Sequence, residues 1–337
     1  MRLRHSDPDG PGIRRQRWGR GFRYLGPDGA PVHDRAEIDR IKQLAIPPAW
    51  RDVWICPARN GHIQAVGVDA AGRRQYRYHD EWRRQRDAEK HDRVLEFAAV
   101  LPRVREITTT HLHRRGFPRE RVLAAAVRLI DLGFFRPGGK EYAEENGTYG
   151  LATVLCDHVR CGAGEVTFEY PAKGAKEREQ AVAEENTCAV VRGLKRARGG
   201  GEQLLAYRVG RDWRTVQAGD INDYLREIAG GDFSVKDFRT WHATVLAAVG
   251  LAVSPPSPSA AARRRAISRA VQEVADYLGN TPAVARASYI DPRIISRYEQ
   301  GVTIASALPE LGKGVPYGEL ATQGTVEDAV RRLLQEK

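Results

Sequence analysis

The chain has 337 residues, 42% of them hydrophobic, and a formal net charge of +11. This length allows two domains of ordinary size, each with its own core. Arginine carries most of the charge, with 45 arginines beside nine lysines. Such a balance predicts a polyanionic partner, nucleic acid first, although the same charges could merely keep the protein soluble. No stretch reaches the roughly 18 apolar residues of a membrane span and no apolar leader opens the chain, so we expect a cytoplasmic protein without membrane contact.

The first 90 residues predict a small, basic, mostly-β domain. They contain 19 basic and 12 acidic residues, so the charge is concentrated at the front. Alternating segments typical of strands are "DVWICPA", "HIQAVGVDA" and "QYRYHDEW". The pair Asn60-Gly61 favours a tight hairpin turn between the first two of these segments.

Residues 91–337 predict a larger, mainly helical domain with a small β insert, which makes the fold class α+β. The helical pattern starts near Asp92, and a later helix runs from Pro118 to Gly133. "ATVLCDHVRC" predicts a strand, and "EVTFEYPAKGAKEREQAV" predicts two strands around a turn at residues 172–175. Asp220 is expected to cap a short helix, and Ser234 a longer one that ends at Gly250.

Strong capping signals follow in the last third of the chain. We expect helices from Ser259 to Gly279, from Thr281 and Pro282 onward, and from Asp291 to Gly301. "SPPSPS", at 254–259, has the composition of a flexible link. Tyr289 then lies at the end of a helix. Cys156, His158 and Cys161 lack a fourth metal ligand at a familiar spacing, so we predict no metal site.

Side-chain cleavage of a DNA phosphodiester needs an attacking oxygen, cations on the nonbridging oxygens and a proton donor for the leaving oxygen. Arginine suits the second role because its planar fork matches phosphate, whereas lysine can be tuned to release a proton. Three segments present such residues: "GFFRPGGKEY" with Arg136, "FEYPAKGAKE" with Lys173 and "SVKDFRTWHAT" with Arg239. Asn280 and Tyr289 complete the candidate set.

Taken together, these segments resemble the type IB DNA topoisomerases, in the compact poxvirus-like form found in bacteria. The family's arginine-glycine-lysine-tyrosine segment resembles Arg136, Gly138 or Gly139, Lys140 and Tyr142. Its lysine hairpin resembles "YPAKGAK", its arginine helix "DFRTW" and its nucleophile segment "LGNTPAVARASY". The resemblance covers nearly the whole chain and implies a catalytic domain like that of the tyrosine recombinases.

Carried over position by position, the resemblance implies that Tyr289 attacks the scissile phosphate. Arg136 and Arg239 would hold the nonbridging oxygens, Lys173 would protonate the 5′ leaving oxygen, and Asn280 would donate a hydrogen bond. Viral members carry histidine at the position of Asn280, so a neutral amide would act here. Neither cofactor nor metal is implied, and no GxxxxGK[ST] phosphate loop is present.

Further residues are implied to contact DNA. Lys176 could assist Lys173, while Lys140 and Lys236 would support phosphate binding. In the front domain "QYRYH" resembles the family's major-groove segment, which would place Gln75, Tyr76 and Tyr78 near base edges. Arg73 and Arg74 would neutralise the backbone. Alternatively, Tyr76 and Tyr78 pack together in a β core.

The resulting hypothesis is a monomeric clamp on duplex DNA, associated with the nucleoid. It would relax supercoils by transient single-strand cleavage through a 3′-phosphotyrosine. Two alternatives stay open: a tyrosine recombinase, which needs nearly the same five roles in a tetramer, and a DNA-binding protein without catalysis.

Overall fold

The chain forms two compact units, Met1–His91 and Asp92–Lys337. The structure is a computed structural model, and it describes residues 2–139, 143, 147–172, 176–254 and 257–336. The first unit is built on strands and the second mainly on helices, which confirms the predicted α+β class.

The first unit is a five-stranded antiparallel sheet with the strand order β2-β1-β3-β4-β5. Its elements are β1 (Ile13–Trp18), β2 (Gly21–Leu25), α1 (Arg35–Gln43), β3 (Arg51–Ile55), β4 (Ile63–Val68) and β5 (Arg74–Tyr78).

The two faces of this sheet have different coverings. Ile41 of α1 packs on one face against a cluster that includes Val53, Ile55 and Ala65. On the other face Trp54 donates its indole N–H to the Gly10 carbonyl at 3.2 Å, so the N-terminal segment covers the middle of that face. The register places Trp54 opposite Val66, and Val66 opposite Tyr76, on this second face.

Two local predictions for this unit are wrong. Asn60-Gly61 does not form a two-residue hairpin turn, because β3 ends at Ile55 and β4 begins at Ile63. The two residues lie instead in a turn within this longer loop, closed by the Gly61 N–H, which donates to the Ala58 carbonyl at 3.1 Å. The helical region starts at Asp80 rather than near Asp92. Asp80 and Glu81 occupy the first turn of that helix, where carboxylates favour the N-terminal dipole.

The second unit follows in chain order. The helix α2 (Asp80–Leu112) runs into it, and its further elements are α3 (Arg119–Gly133), β6 (Val159–Cys161), β7 (Val166–Ala172), β8 (Lys176–Val182), α4 (Glu185–Ala197), β9 (Ala206–Val209), β10 (Asp212–Thr215), α5 (Ala218–Ala229), α6 (Val235–Ala252), α7 (Ala260–Leu278), α8 (Pro282–Ser288), α9 (Pro292–Glu299) and α10 (Thr325–Gln335).

Helix α3 lies at the centre of the second unit, with every residue from Val122 to Gly133 buried. Its one buried carboxylate, Asp131, accepts from Arg105 at 2.9 Å and from Arg128 at 2.8 Å, and it contacts His242 of α6 at 2.9 Å. Burial by itself raises the pKa of Asp131, but the Arg105 charge and these hydrogen bonds outweigh burial and hold the pKa well below its usual range. Paired in this way, the carboxylate remains charged inside the core.

The predicted strand "ATVLCDHVRC" is wrong except at its end. Short 3₁₀ turns occupy Leu151–Thr153 and Cys156–His158, and only Val159–Cys161 joins the sheet β6-β7-β8. The Leu155 N–H donates to the His158 ring at 3.2 Å, a side-chain bond that competes with strand pairing. The hairpin β7-β8 is confirmed, with Ala172 opposite Lys176.

The capping predictions near the chain end are largely confirmed. Helix α7 begins after Ser259 and ends at Gly279, which has φ +61°, a conformation that glycine adopts without strain. Thr281 caps α8 and Asp291 caps α9. Helix α5 instead begins at Ala218, so Asp220 accepts from the Gln217 N–H from inside the first turn, and α6 extends two residues past Gly250.

Candidate active site

Tyr289 lies where helix α8 ends, as the sequence predicts. Its N–H donates to the Ala285 carbonyl at 3.0 Å, and its φ and ψ of −129° and −36° leave the helical region. Thr244 of α6 holds the backbone on both sides of this point. Its hydroxyl oxygen accepts the Asp291 N–H at 3.1 Å and lies 3.3 Å from the Tyr289 carbonyl oxygen. The half-buried phenol is therefore presented from a fixed backbone.

Arg239 approaches the phenol from the second turn of α6. Its side chain is buried, yet its guanidinium carbon lies 5.3 Å from the centre of the Tyr289 ring. The guanidinium donates to the Phe134 carbonyl at 2.5 Å and to the Leu278 carbonyl at 2.9 Å. These carbonyls lie at the C-terminal ends of α3 and α7. The Arg239 side chain therefore links α6 to both helices, and the two hydrogen bonds fix the orientation of its guanidinium.

Among the residues that the structure describes, no carboxylate pairs with the buried guanidinium of Arg239. Burial, and after it the neighbouring charge of Arg136, lowers the pKa of its guanidinium to about 10, although Tyr289 acts in the opposite direction. The group therefore remains protonated at neutral pH. Its Nε–H is buried and has no partner within the described part of the chain. An unpartnered buried donor on a cation favours an anionic ligand.

Arg136 follows α3 and binds the loop that precedes α8. It donates to the Asn280 Oδ1 atom at 2.7 Å and to the Gly279 carbonyl at 3.1 Å. Since a guanidinium only donates, this contact fixes the amide orientation of Asn280 and leaves its Nδ2 group as a donor. That Nδ2 atom is buried and has no partner in the described ranges.

A cleft of about 450 Å³ joins these side chains. The side chains and backbone that line it are Arg136, Pro137, Gly138, Gly139, Thr148, Tyr149, Lys236, Arg239 and Tyr289. Lys236 is exposed at this cleft, one helical turn before Arg239. The structure thus brings Arg136, Lys236, Arg239 and Tyr289 together, with Asn280 bound to Arg136.

Two glycines allow the backbone to form this cleft. Gly138 has φ +79°, and a Cβ atom there would lie 2.8 Å from the Gly150 Cα atom. This close approach lets the Leu151 N–H donate to the Arg136 carbonyl at 2.8 Å. The position of Arg136 therefore depends on two residues without side chains.

Sequence reasoning missed two side chains at this site. Tyr149 lines the cleft, and its ring meets the His158 ring at 4.5 Å between centroids. Arg178 of β8 lies 3.4 Å from the Tyr277 carbonyl and 3.5 Å from the Gly133 carbonyl, close to the segments that carry Asn280 and Arg136. Burial lowers the pKa of Arg178 despite its hydrogen bond to Tyr170. Neither residue has a local sequence signal, because each is placed at the site by contacts with other elements of the fold.

The predicted lysines Lys173 and Lys140, together with Tyr142, lie outside the described residues. The strands on either side of residues 173–175 are described, and they form the predicted hairpin. The role of Lys173 accordingly stays a prediction, as does any assistance from Lys176.

The first unit places the predicted DNA-binding residues on and beside its edge strand β5. Tyr76 and Tyr78 are each 39% exposed and stack with centroids 6.0 Å apart, so the alternative that they pack in the core is wrong. Gln75 points to the opposite face and donates to Asp69 at 2.9 Å. Arg73 pairs with Asp69 at 3.0 Å.

Arg74 lies beside the tyrosines. Its guanidinium lies 5.8 Å from the centre of the Tyr76 ring and bonds Asp9 at 3.0 Å. Because β5 is an edge strand, a groove that admits the strand would meet side chains on both of its faces. If Gln75 and the two tyrosines contact the same duplex, they do so from opposite faces of β5.

Two protein-family models match this chain. Residues 79–307 match the family described as eukaryotic DNA topoisomerase I, catalytic core, which is more than half of the chain. The chain belongs to this family. Residues 21–69 match the N-terminal domain of bacterial DNA topoisomerase IB. The family resemblance predicted from the sequence is thus confirmed.

Viral members are similar to this chain. The DNA topoisomerase 1B of Acanthamoeba polyphaga mimivirus is 27% identical over 296 residues, which is 86% of this chain and 88% of the viral protein. The DNA topoisomerase 1B of vaccinia virus (strain Copenhagen) is 22% identical over 237 residues, or 68% of this chain and 70% of the viral protein. Within the described ranges, none of the helices of this family member is both long and apolar enough to cross a membrane.

Proposed function

We propose that this chain is a type IB DNA topoisomerase that relaxes supercoiled duplex DNA by cutting and rejoining one strand. The observation that carries the proposal is the contact of Tyr289 with a buried guanidinium, that of Arg239, in a cleft that also holds Arg136. A phenol oxygen among fixed cations is suited to attack a phosphate diester, because the cations favour both the phenolate and the charge that develops on phosphorus.

The exchange of bonds at phosphorus needs no outside energy. The Tyr289 oxygen forms a bond to the scissile phosphorus while the bond from phosphorus to the 5′ oxygen breaks. The phenol releases its proton to solvent, and Lys173 donates a proton to the leaving 5′ oxygen. Arg136 and Arg239 hold the nonbridging oxygens, and the Nδ2 group of Asn280 adds a hydrogen bond. Since one diester replaces another, the 5′ hydroxyl can reverse the attack after the strand has swivelled, without ATP or metal.

Binding of the duplex is assigned to both units in this proposal. Residues 1–90 would bind the major groove through Gln75, Tyr76 and Tyr78, with Arg73 and Arg74 near the backbone. Residues 91–337 would carry catalysis, with Lys140 and Lys236 supporting the phosphates. The protein would act as a monomeric clamp on nucleoid DNA in the cytoplasm.

The test uses supercoiled plasmid in EDTA without ATP. We expect relaxation, and a covalent adduct on the 3′ end when detergent stops the reaction. Tyr289→Phe should abolish both while DNA affinity stays within about threefold. Relaxation that survives this substitution contradicts the proposal. A requirement for paired recombination sites would favour a recombinase, and binding without any adduct from the parent protein would favour a non-catalytic role.

A further inference from the structure

The hairpin formed by β1 and β2 carries a dense set of cationic and aromatic side chains that the proposed site does not use. Its residues, from Ile13 to Leu25, include five arginines and no acidic residue. Arg14, Arg17 and Arg20 are exposed, and within the described part of the chain none of them pairs with a carboxylate. Uncompensated guanidinium groups concentrated on one projection favour a polyanion.

An exposed tryptophan stands at the tip of this hairpin. Trp18 is 62% exposed, and the Arg23 guanidinium lies over its ring at 4.2 Å from the centroid. Arg23 is held in turn by Gln16, whose Oε1 atom accepts its Nε–H at 2.7 Å. The indole is therefore fixed outside the core. Tryptophan and arginine are enriched where macromolecules meet, because both combine apolar area with a polar group.

The base of the hairpin is anchored and its tip is free. The Arg15 guanidinium donates hydrogen bonds to the backbone carbonyls of Trp50 at 2.6 Å and Pro47 at 3.1 Å. At the tip Gly19 has φ +54°, and apart from the adjacent residues no described atom lies within 4 Å of a Cβ atom added at Gly19 or Gly21. The hairpin thus extends from a fixed root into open space.

The register places this tip on the same face of the sheet as the two stacked tyrosines. Arg14 pairs with Trp54, and the alternation of β1 puts Gln16 and Trp18 on the face of Arg14. Trp54 pairs in turn with Val66, and Val66 with Tyr76. Arg14, Trp18 and Tyr76 therefore face one side.

Strand spacing gives the distance between the two elements. Neighbouring strands lie about 4.8 Å apart, so three intervals separate β1 from β5 by roughly 14 Å and four separate β2 from β5 by roughly 19 Å. The major groove of a duplex is about 12 Å wide. With β5 in that groove, the hairpin lies beyond the groove, at a sugar-phosphate backbone.

We propose that the tip of the β1–β2 hairpin, Arg14 to Arg23, is a second DNA-binding element that grips the sugar-phosphate backbone of the duplex beside the groove occupied by β5. The proposal rests on the proposed function only in taking duplex DNA as the ligand. The arginines neutralise phosphates, and Trp18 packs against a deoxyribose. Such contacts are independent of base sequence and extend the footprint of the first unit.

The test measures binding without cleavage. Full-length Tyr289→Phe protein is titrated into a fluorescent duplex of about 24 base pairs over a range of salt concentrations, alone and with Arg14, Arg17 and Arg20 all changed to glutamine. Each lost phosphate contact lowers the magnitude of the slope of log affinity against log salt by about 0.9. Arg17 lies on the face of β1 opposite Arg14, so the triple variant should lose roughly 2. Trp18→Ala should weaken binding several-fold with the slope unchanged.

The matched control removes the same charge elsewhere. Arg103, Arg196 and Arg332 are exposed on helices of the second unit, and their joint change to glutamine lowers the net charge equally. Hydroxyl-radical footprinting adds a positional readout. The hairpin variant should lose protection of a few sugars on one flank of the site and keep the remaining protection. The control variant should keep the protection on that flank.

An unchanged footprint in the hairpin variant, or a slope change no larger than in the control, would overturn the proposal. These results are independent of catalysis, since they use a protein that cannot cut. Conversely, if the parent protein fails to relax plasmid or to form an adduct, the proposed function is wrong, but the binding data still test the role of the hairpin in DNA binding.

Discussion

Replacement of Arg239 tests the centre of the proposed mechanism. Its guanidinium makes two hydrogen bonds to carbonyls, at 2.5 and 2.9 Å, and stacks on Tyr289. Arg239→Lys keeps a positive charge, but a single ammonium cannot reach both carbonyls and present a planar fork to phosphate. Loss of one preorganised donor in an active site costs about 10²- to 10³-fold in rate, or roughly 2.7–4 kcal/mol of transition-state stabilisation.

Single-turnover cleavage of a suicide duplex measures this rate directly. At saturating DNA we expect Arg239→Lys to cleave about 10²- to 10³-fold more slowly than the parent, with an affinity within a few-fold. The bonds to the Phe134 and Leu278 carbonyls also stabilise the fold, so thermal unfolding must be measured beside the rate. Arg332→Lys, at an exposed position of α10 that does not line the cleft, controls for a change of cation type. A folded, DNA-bound Arg239→Lys protein with near-parental cleavage would refute the reasoning.

Three further predictions follow from the same geometry. Asn280→Asp should lower cleavage more than Asn280→Ala in a single-turnover assay, because a carboxylate 2.7 Å from the neighbouring guanidinium would neutralise it; equal rates for the two variants would contradict this. Gly138→Ala should lower the melting temperature more than Gly147→Ala, because both glycines have positive φ but only the first meets backbone within 3 Å. Arg178→Ala should slow cleavage by roughly tenfold with DNA affinity unchanged, as expected for a lost charge-assisted bond. Glu179→Ala, at an exposed position on the same strand, should leave the cleavage rate unchanged. A parental rate for Arg178→Ala would contradict a positioning role for Arg178.

Local sequence signals predicted the elements that depend on near neighbours. The cap residues Ser259, Thr281 and Asp291 each accept from an N–H within three residues, so their helices could be placed without knowledge of the rest of the fold. The segment "ATVLCDHVRC" misled for the opposite reason. Its Cys156 N–H donates to the Glu202 carbonyl, a partner distant in sequence, so alternation alone could not decide its structure.

The residue types of the active site could be proposed from the sequence, but their juxtaposition could not. Resemblance selected Tyr289, Arg136, Arg239 and Asn280, whereas nothing local marked Tyr149 or Arg178. For the tyrosines of β5, the pattern could not distinguish an inward face from an outward one, because alternation fixes only that Tyr76 and Tyr78 share a face. The packing of the sheet decided that this face is exposed.

By itself, the sequence determined the family, the basic character of the chain and most helix ends, because each depends on residue identity or on hydrogen bonds spanning one turn. Only the tertiary structure decided which side chains of the active site contact one another. Arg136 reaches Asn280 across 144 positions of the chain, and Arg239 reaches Phe134 across 105. Such contacts exist only after α3, α6 and α7 have packed, since the free energy that holds the cations together comes from burial of their helices rather than from any attraction among like charges.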